Sequence, residues 1–255
     1  MELQGKNVII TGASTGIGFE LMTMLLDQGC KVMAASRTIS TIKAEHENLH
    51  KFDCDVSSSE GVDRLFDFAL TKFKSIDIFV ANAGFAFFEE MDAPDWEHYL
   101  KIFNINVFSA FYAAQKMKEL NGQRPFNFII TASGMSFFSL PGYSMYSSTK
   151  AAVRGFADSY RYELSKGQFI QCVYPIATKT PFFQNAGGIP MAWPVQSVEH
   201  VAKKIIKGIR KNRNHIFPSK LFRLFNVLAA LCPPIVKIYN IPNERKFRHY
   251  LDGNQ

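Results

Sequence analysis

"NVIITGASTGIG", residues 7 to 18, decides how this chain folds. Val8, Ile9 and Ile10 are a continuous apolar run, the pattern of a strand buried on both faces of a parallel sheet. The run stops at glycines in positions 12, 16 and 18, and the amphipathic stretch "GIGFELMTMLLDQG" follows and closes at Gly29. Strand, glycine-rich turn and helix in direct succession open a βαβ unit. Glycines at such a turn let the backbone bend tightly and approach a pyrophosphate, whose charge meets the unpaired N–H groups and the positive dipole of the helix start. Structural turns also use glycine. The position between a buried strand and a helix gives these ones a ligand-binding reading.

The same rhythm continues outward. Further strands are expected at "KVMAASR" (31 to 37), "LHKFDCDV" (49 to 56), "IDIFVANAG" (76 to 84), "FNFIITAS" (126 to 133) and "FIQCVYP" (169 to 175). Between them lie helical patterns, one opened by Ser57 and Glu60 as a capping box, one spanning roughly 94 to 120, and one from about 143 to 166. Alternation of this kind predicts an α/β fold, a Rossmann-like doubly wound parallel sheet of about seven strands in a three-layer αβα arrangement. At 255 residues the chain suits one large domain, 1 to 255, better than two. Hydrophobic content of 47% and charge of 20% exclude a disordered chain.

The net charge is +7, and much of it falls late, in "KKIIKGIRKNRNH" and "ERKFRH". A solvated helix face accounts for it; an anionic ligand or an acidic membrane surface are alternatives, and no nucleic-acid motif accompanies the charge. Cys30, Cys54, Cys172 and Cys232 form neither a C-x-x-C nor a Cys/His metal pattern, so no metal site is expected, and a reducing compartment is the economical inference. The N-terminal residues lack the signal-peptide pattern and no run reaches the length of a membrane span. A cytoplasmic protein is expected, with peripheral membrane contact as one option.

"SGMSFFSLPGYSMYSSTK", residues 133 to 150, carries the candidate chemistry. On a helix Tyr146 and Lys150 project from one face, and Ser133 sits across a turn at a strand end. A neighbouring cation is expected to pull the phenol, ordinarily near 10, toward neutrality and make it a usable acid and base. Y-x-x-x-K alone is a weak signal. A nicotinamide site preferring the unphosphorylated ribose places an acidic residue at the end of the second strand. Here Ser36 is followed by Arg37, whose guanidinium suits a 2′-phosphate by charge and fork geometry, so NADP(H) is the expected cofactor; a merely solvated Arg37 is the bland alternative.

Together these residues resemble the short-chain dehydrogenase/reductase family. T-G-x-x-x-G-x-G stands at Thr11 to Gly18, N-A-G at Asn82 to Gly84, the helical Asn at Asn106 within "NINVFSAF", then Ser133 and Y-x-x-x-K at Tyr146 to Lys150. The likeness runs from about residue 3 to residue 215, and it is the joint occurrence in order that is specific. It implies hydride transfer between the nicotinamide and a carbonyl or carbinol carbon, with Ser133, Tyr146, Lys150 and Asn106 catalytic. Tyr146 would move the proton, Ser133 would hold the substrate oxygen, Lys150 would tune the phenol and bind the ribose, and Asn106 would hold a relay water. Cofactor binding would fall to Gly12, Ser14, Thr15, Gly16, Ile17, Gly18, Arg37, Asp55, Val56, Asn82, Ala83, Gly84, Pro175, Thr178 and Thr180, together with Tyr146 and Lys150. There are departures: Ile176 stands where a glycine often follows the proline, which predicts a different chain path beneath the nicotinamide, and Ser109 replaces a frequent glycine.

Phe137, Phe138, Tyr143, Phe182 and Phe183 surround the candidate trio in sequence, which suits a lipophilic carbonyl or alcohol substrate, although helix packing could use several of them. Residues 176 to 194 break the rhythm with prolines and glycines, either as a substrate lid or as an ordinary connection. Residues 216 to 255 form a basic amphipathic extension that could meet a membrane, a second subunit or its own core. The long helices resemble those with which family members form homodimers or homotetramers. A non-catalytic dinucleotide sensor or scaffold with the same fold is the alternative function.

Overall fold

A computed structural model describes residues 1–182 and 194–252. Seven strands form one sheet: β1 (Asn7–Thr11), β2 (Lys31–Ser36), β3 (Leu49–Asp53), β4 (Ile78–Ala81), β5 (Phe126–Thr131), β6 (Gln168–Val173) and β7 (His215–Ile216). Their order is β3-β2-β1-β4-β5-β6-β7, and every pairing is parallel. Six of these strands are legible in the sequence, five as largely apolar runs and β3, the half-buried edge strand Leu-His-Lys-Phe-Asp, by its place in the alternation. The seventh is two residues at the sheet edge, too short to show a period.

Successive side chains of a strand point to opposite faces, so a run such as Val8-Ile9-Ile10 feeds two cores. Val8, Ile10, Val32, Ala34 and Val80 pack under α1 (Gly16–Asp27) and α6 (Val198–Arg210), against Leu21, Leu25, Val201 and Ile205. Ile9, Met33, Phe79 and Phe128 pack on the other face against α2 (Ser59–Lys72), α4 (Ser109–Asn121) and α5 (Ser144–Tyr160), through Leu65, Phe66, Met117 and Val153. Phe79 stacks between Phe66 and Phe128, with ring centroids 5.3 and 5.2 Å away. The basic run after residue 203 lies on α6, where Lys203, Lys207 and Arg210 face solvent and Val201, Ile205 and Ile209 are buried. Among the described residues, no helix is long and apolar enough to cross a membrane.

One local expectation is corrected and one is refined. Helix α2 is capped by Ser58, whose hydroxyl accepts from the Gly61 backbone N–H at 3.2 Å, and not by Ser57. The helical region expected near 94 to 120 is present without a break, α3 (Trp96–Phe103) passing through a π-helical turn, Asn104–Phe108, into α4. Ser109 donates to the Ile105 carbonyl at 2.7 Å, next to that wider turn. Beyond β7 lie α7 (Lys220–Leu231) and α8 (Pro234–Asp252), the latter carrying Pro242 inside it.

The chain leaves β1 toward β2 and β3, then returns to β4 on the opposite side. A crevice therefore opens at the carboxyl ends of β1 and β4, where such sheets bind ligands.

The cap assignment is directly testable. Ser58→Ala is expected to cost about 1 kcal/mol in urea denaturation, and Ser57→Ala less than about 0.5 kcal/mol; the reverse order would restore the cap to Ser57.

Candidate active site

The crevice is a cavity of about 1210 Å³ along the carboxyl ends of the strands. Its floor is a hydrogen-bonded knot. The Asn82 amide donates to the carbonyls of Thr11 (3.2 Å) and Gly12 (3.1 Å) and accepts from the Thr131 hydroxyl (3.1 Å), while the Thr11 hydroxyl accepts from the Asn82 and Ala83 N–H groups at 3.1 Å each. One side chain thus ties the ends of β1, β4 and β5 together. The turn above it tolerates no added atoms: a Cβ on Gly18 would lie 2.2 Å from the Gly12 carbonyl oxygen, and one on Gly12, whose φ is +65°, would lie 2.9 Å from Ala83 Cα.

Helices α2, α3, α6 and α7 begin with side-chain caps from Ser58, Asp95, Ser197 and Ser219. Helix α1 does not: Thr15 makes no capping bond and the first turn has no acidic residue. Ser14 to Ile17, at its leading end, line the cavity. Unpaired donors with the positive end of a helix behind them fit an anionic diphosphate. At the far end of β2, Arg37 lines the same cavity, exposed and without an ion-pair partner among the described residues. Asp55 and Val56 line it from the end of β3, and Asp55 accepts from the Ser57 N–H at 2.9 Å.

Across the sheet, Tyr146 and Lys150 project from one face of α5 into the cavity, with the Lys150 ammonium 5.5 Å from the Tyr146 ring centre. Ser133 ends the segment after β5 and caps a short turn, Gly134–Ser136, accepting from the Met135 N–H at 3.1 Å. All three are buried. Lys150 donates to the Thr131 carbonyl at 2.8 Å. Burial dominates their electrostatics. It lifts the Tyr146 phenol well above its ordinary range, and the hydrogen bond with Ser133 pulls it back only in part. Burial also lowers the Lys150 ammonium to about 8. The expectation that the cation draws the phenol down toward neutrality is therefore corrected: a low-dielectric site disfavours phenolate and ammonium alike, and desolvation sets the direction of both shifts.

Asn106 lies behind the wall and not on it. Its amide accepts from the Phe85 N–H (3.0 Å) and donates to the Phe85 carbonyl (2.9 Å) and the Thr149 hydroxyl (3.1 Å). A Cβ on Gly84 would sit 2.8 Å from its oxygen and 3.6 Å from the Lys150 nitrogen, so the three groups converge. Gly18 also stays off the cavity surface, packed beneath the turn. Gly12, Ser14, Thr15, Gly16, Ile17, Asn82, Ala83, Gly84, Pro175, Thr178 and Thr180 all line the cavity. Among the described residues only Asn212 is a non-glycine residue with positive φ, so Ile176 follows Pro175 in an ordinary conformation and contributes to the wall.

The aromatic surroundings differ from expectation. Phe138, Tyr143 and Phe182 line the cavity, whereas Phe137 packs between Tyr174 and Phe222 with the Arg154 guanidinium 4.1 Å over its ring. Phe183 and most of the 176 to 194 segment lie outside the described residues. Sequence reading missed Phe85, Phe87 and Phe88, directly after N-A-G, and Phe222, Phe225 and Tyr239 from the C-terminal helices. The cluster "GFAFF" was available as a signal; the C-terminal residues reach the cavity only through tertiary packing.

The family model for short chain dehydrogenase matches residues 6–188. An uncharacterised oxidoreductase of Schizosaccharomyces pombe is 31% identical over 161 residues, which cover 62% of this chain and 55% of that protein. A 3-ketodihydrosphingosine reductase of Dictyostelium discoideum is 26% identical, covering 93% of this chain and 81% of its own. Among solved structures, a short chain dehydrogenase of Burkholderia cenocepacia in complex with NADP superposes with a TM-score of 0.82 at 19% identity, covering 94% of this chain and 99% of that one. A Burkholderia phymatum short chain dehydrogenase/reductase in complex with NAD gives 0.79 at 19% identity, covering 92% and 96%.

The depressed Lys150 value carries a stability consequence. Between about 8 and the ordinary 10.5 the unfolded chain binds more protons than the folded one, so stability rises with pH across that window and the penalty is complete below it. Lys150→Met is expected to stabilise the cofactor-free protein by roughly 1–3 kcal/mol in chemical denaturation at pH 7, the gain vanishing as the pH rises through that window. A variant less stable than the parent at pH 7 would contradict this.

Proposed function

The chain is a member of the short chain dehydrogenase family of oxidoreductases, and we propose that it transfers hydride between NADP(H) and the carbonyl or carbinol carbon of a lipophilic substrate. One observation carries the reading: Tyr146 and Lys150 enter a single buried cavity side by side, with Ser133 hydrogen-bonded to the phenol.

The bound nicotinamide would supply the hydride chemistry. Tyr146, held neutral by burial, donates its phenolic proton to the substrate oxygen during reduction and takes it back in oxidation. The Ser133 hydroxyl donates to the same oxygen and fixes its distance from the phenol. Lys150, anchored on the Thr131 carbonyl, binds the ribose hydroxyls; with an anionic dinucleotide in the cleft it regains its full charge beside the phenol. Asn106 holds the Phe85 backbone next to Lys150 and orders the relay water that returns protons to the site. Donors at the start of α1 hold the diphosphate, Asp55 and Val56 flank the adenine, Thr178 and Thr180 hold the carboxamide, and Arg37 pairs with the 2′-phosphate.

Arg37 supports NADP(H), because an unpaired guanidinium stands where an acidic residue would otherwise take a ribose hydroxyl. The aromatic wall of Phe85, Phe87, Phe88, Phe138, Phe222 and Phe225 supports an apolar substrate. Four free cysteines support a cytoplasmic enzyme. Phe108 and Tyr162, exposed on the π-helical turn before α4 and just after α5, support a homodimer or homotetramer paired through that face.

Two substitutions test this. With a panel of ketones and aldehydes, Tyr146→Phe should cut NADPH oxidation by roughly 10²–10⁴-fold while NADPH still binds. Binding of NADPH by the wild type without turnover of anything in the panel would instead identify a dinucleotide sensor. Arg37→Asp should weaken NADPH by roughly 30- to 100-fold and NADH by less than about threefold, and equal losses would refute the 2′-phosphate contact.

A further inference from the structure

Helix α7 is apolar on two opposite sides. Its inner side packs: Phe222 and Ala229 are buried, and Phe222 meets Phe137, Phe138 and Phe217. On the outer side Leu221, Leu224, Leu228 and Leu231 follow the i, i+3, i+7, i+10 spacing of one stripe, and all four are exposed, from 44% at Leu228 to 79% at Leu231. Val227 stands beside them, and Ile238 and Ile241 continue the exposed apolar surface onto α8. A helix that is hydrophobic all round is ordinarily covered on both sides. The extension is therefore no loose tail, because its inner side walls the cavity through Phe222, Phe225 and Tyr239, and its outer side faces solvent.

Charge is arranged around this patch. Residues 216 to 252 hold six Lys and Arg against two Asp and Glu, and Glu244 is already paired with Arg248 at 2.8 Å. Helix α7 carries Lys220 and Arg223 and no carboxylate. The patch is also continuous with the cleft: Leu221, exposed in the stripe, lines the cavity, and Lys246 lies on the same rim.

We propose that this outer face docks on an anionic phospholipid surface, with α7 lying in the interface, its leucines among the acyl chains, and Lys220, Arg223, Lys237 and Lys246 on the phosphates. The mouth of the cleft then opens toward lipid. Charge favours lipid over a second copy of this chain, since a self-complementary contact would set a face bearing only cations on α7 against its own image. Entry of an apolar substrate from the bilayer rests on the function proposed above; the docking itself does not.

Sedimentation with vesicles tests the docking without any turnover. Full-length protein should bind phosphatidylcholine vesicles containing about 30 mol% phosphatidylserine at least tenfold more tightly than pure phosphatidylcholine, an advantage lost at about 0.5 M salt. Leu224 and Leu228 lie off the cavity, so L224E/L228E should lose at least about tenfold in vesicle binding while its NADPH affinity stays within about twofold, reporting an intact fold. Wild-type protein that sediments with neither vesicle, or a double variant that binds like wild type, overturns the proposal. So does a double variant that turns a wild-type dimer into monomers in light scattering with vesicle binding unchanged, which would make the face a subunit contact. Vesicle binding without NADPH turnover would refute the catalytic reading and leave the docking standing.

Discussion

Burial of a phenol and an ammonium side by side is the constraint on which the rest of this structure depends. Neither group favours its charged form in a dry site, and Tyr146 and Lys150 are displaced in opposite directions for the same reason. Among the described residues the fold offsets this with few polar contacts: one carbonyl, that of Thr131, for the ammonium, and one hydroxyl, that of Ser133, for the phenol. A site this sparsely satisfied sacrifices stability and leaves room for a ligand to supply what is missing.

The two halves of the cleft are built differently. The half nearest β1 to β3 is backbone: glycines without room for a Cβ, an uncapped helix start, and the Thr11–Asn82–Thr131 knot that holds three strand ends in register. Such an arrangement suits a ligand of fixed shape. The other half is aromatic side chain, drawn from the segment after β4, from the turn after β5 and from the two C-terminal helices. Variation there changes what is held without disturbing the knot, which is how one α/β scaffold serves many substrates. The exposed leucine stripe on α7 belongs to this second half, since the helix that closes the cavity also carries it.

Much of the fold was legible because the inner strands are short and apolar on both faces. Val8-Ile9-Ile10 and its counterparts cannot sit at a sheet edge with one face in water, so parallel pairing and helices on both sides follow. The spacing of Tyr146 and Lys150, four residues apart, by itself puts them on one helix face. What stayed hidden depends on tertiary surroundings. The π-helical turn at Asn104–Phe108 leaves no mark in a hydrophobic pattern, and Ser57 and Ser58 compete as caps with nearly the same sequence signal. The direction of the Tyr146 shift required knowing how much water the site excludes. Phe137 and Phe138 are neighbours of identical type, yet one packs in the core and the other lines the cavity. Tertiary packing distinguishes them: Tyr174 and Arg154 hold Phe137, while Phe225 and Tyr239 of the C-terminal helices meet Phe138.

The most direct test of the buried couple is an ultraviolet titration of the cofactor-free protein, wild type minus Tyr146→Phe, repeated with saturating NADP⁺. The account predicts no phenolate from this tyrosine below about pH 10 in the free protein, with the step moving down once the dinucleotide is bound. A phenolate already forming near pH 7 without cofactor would contradict it.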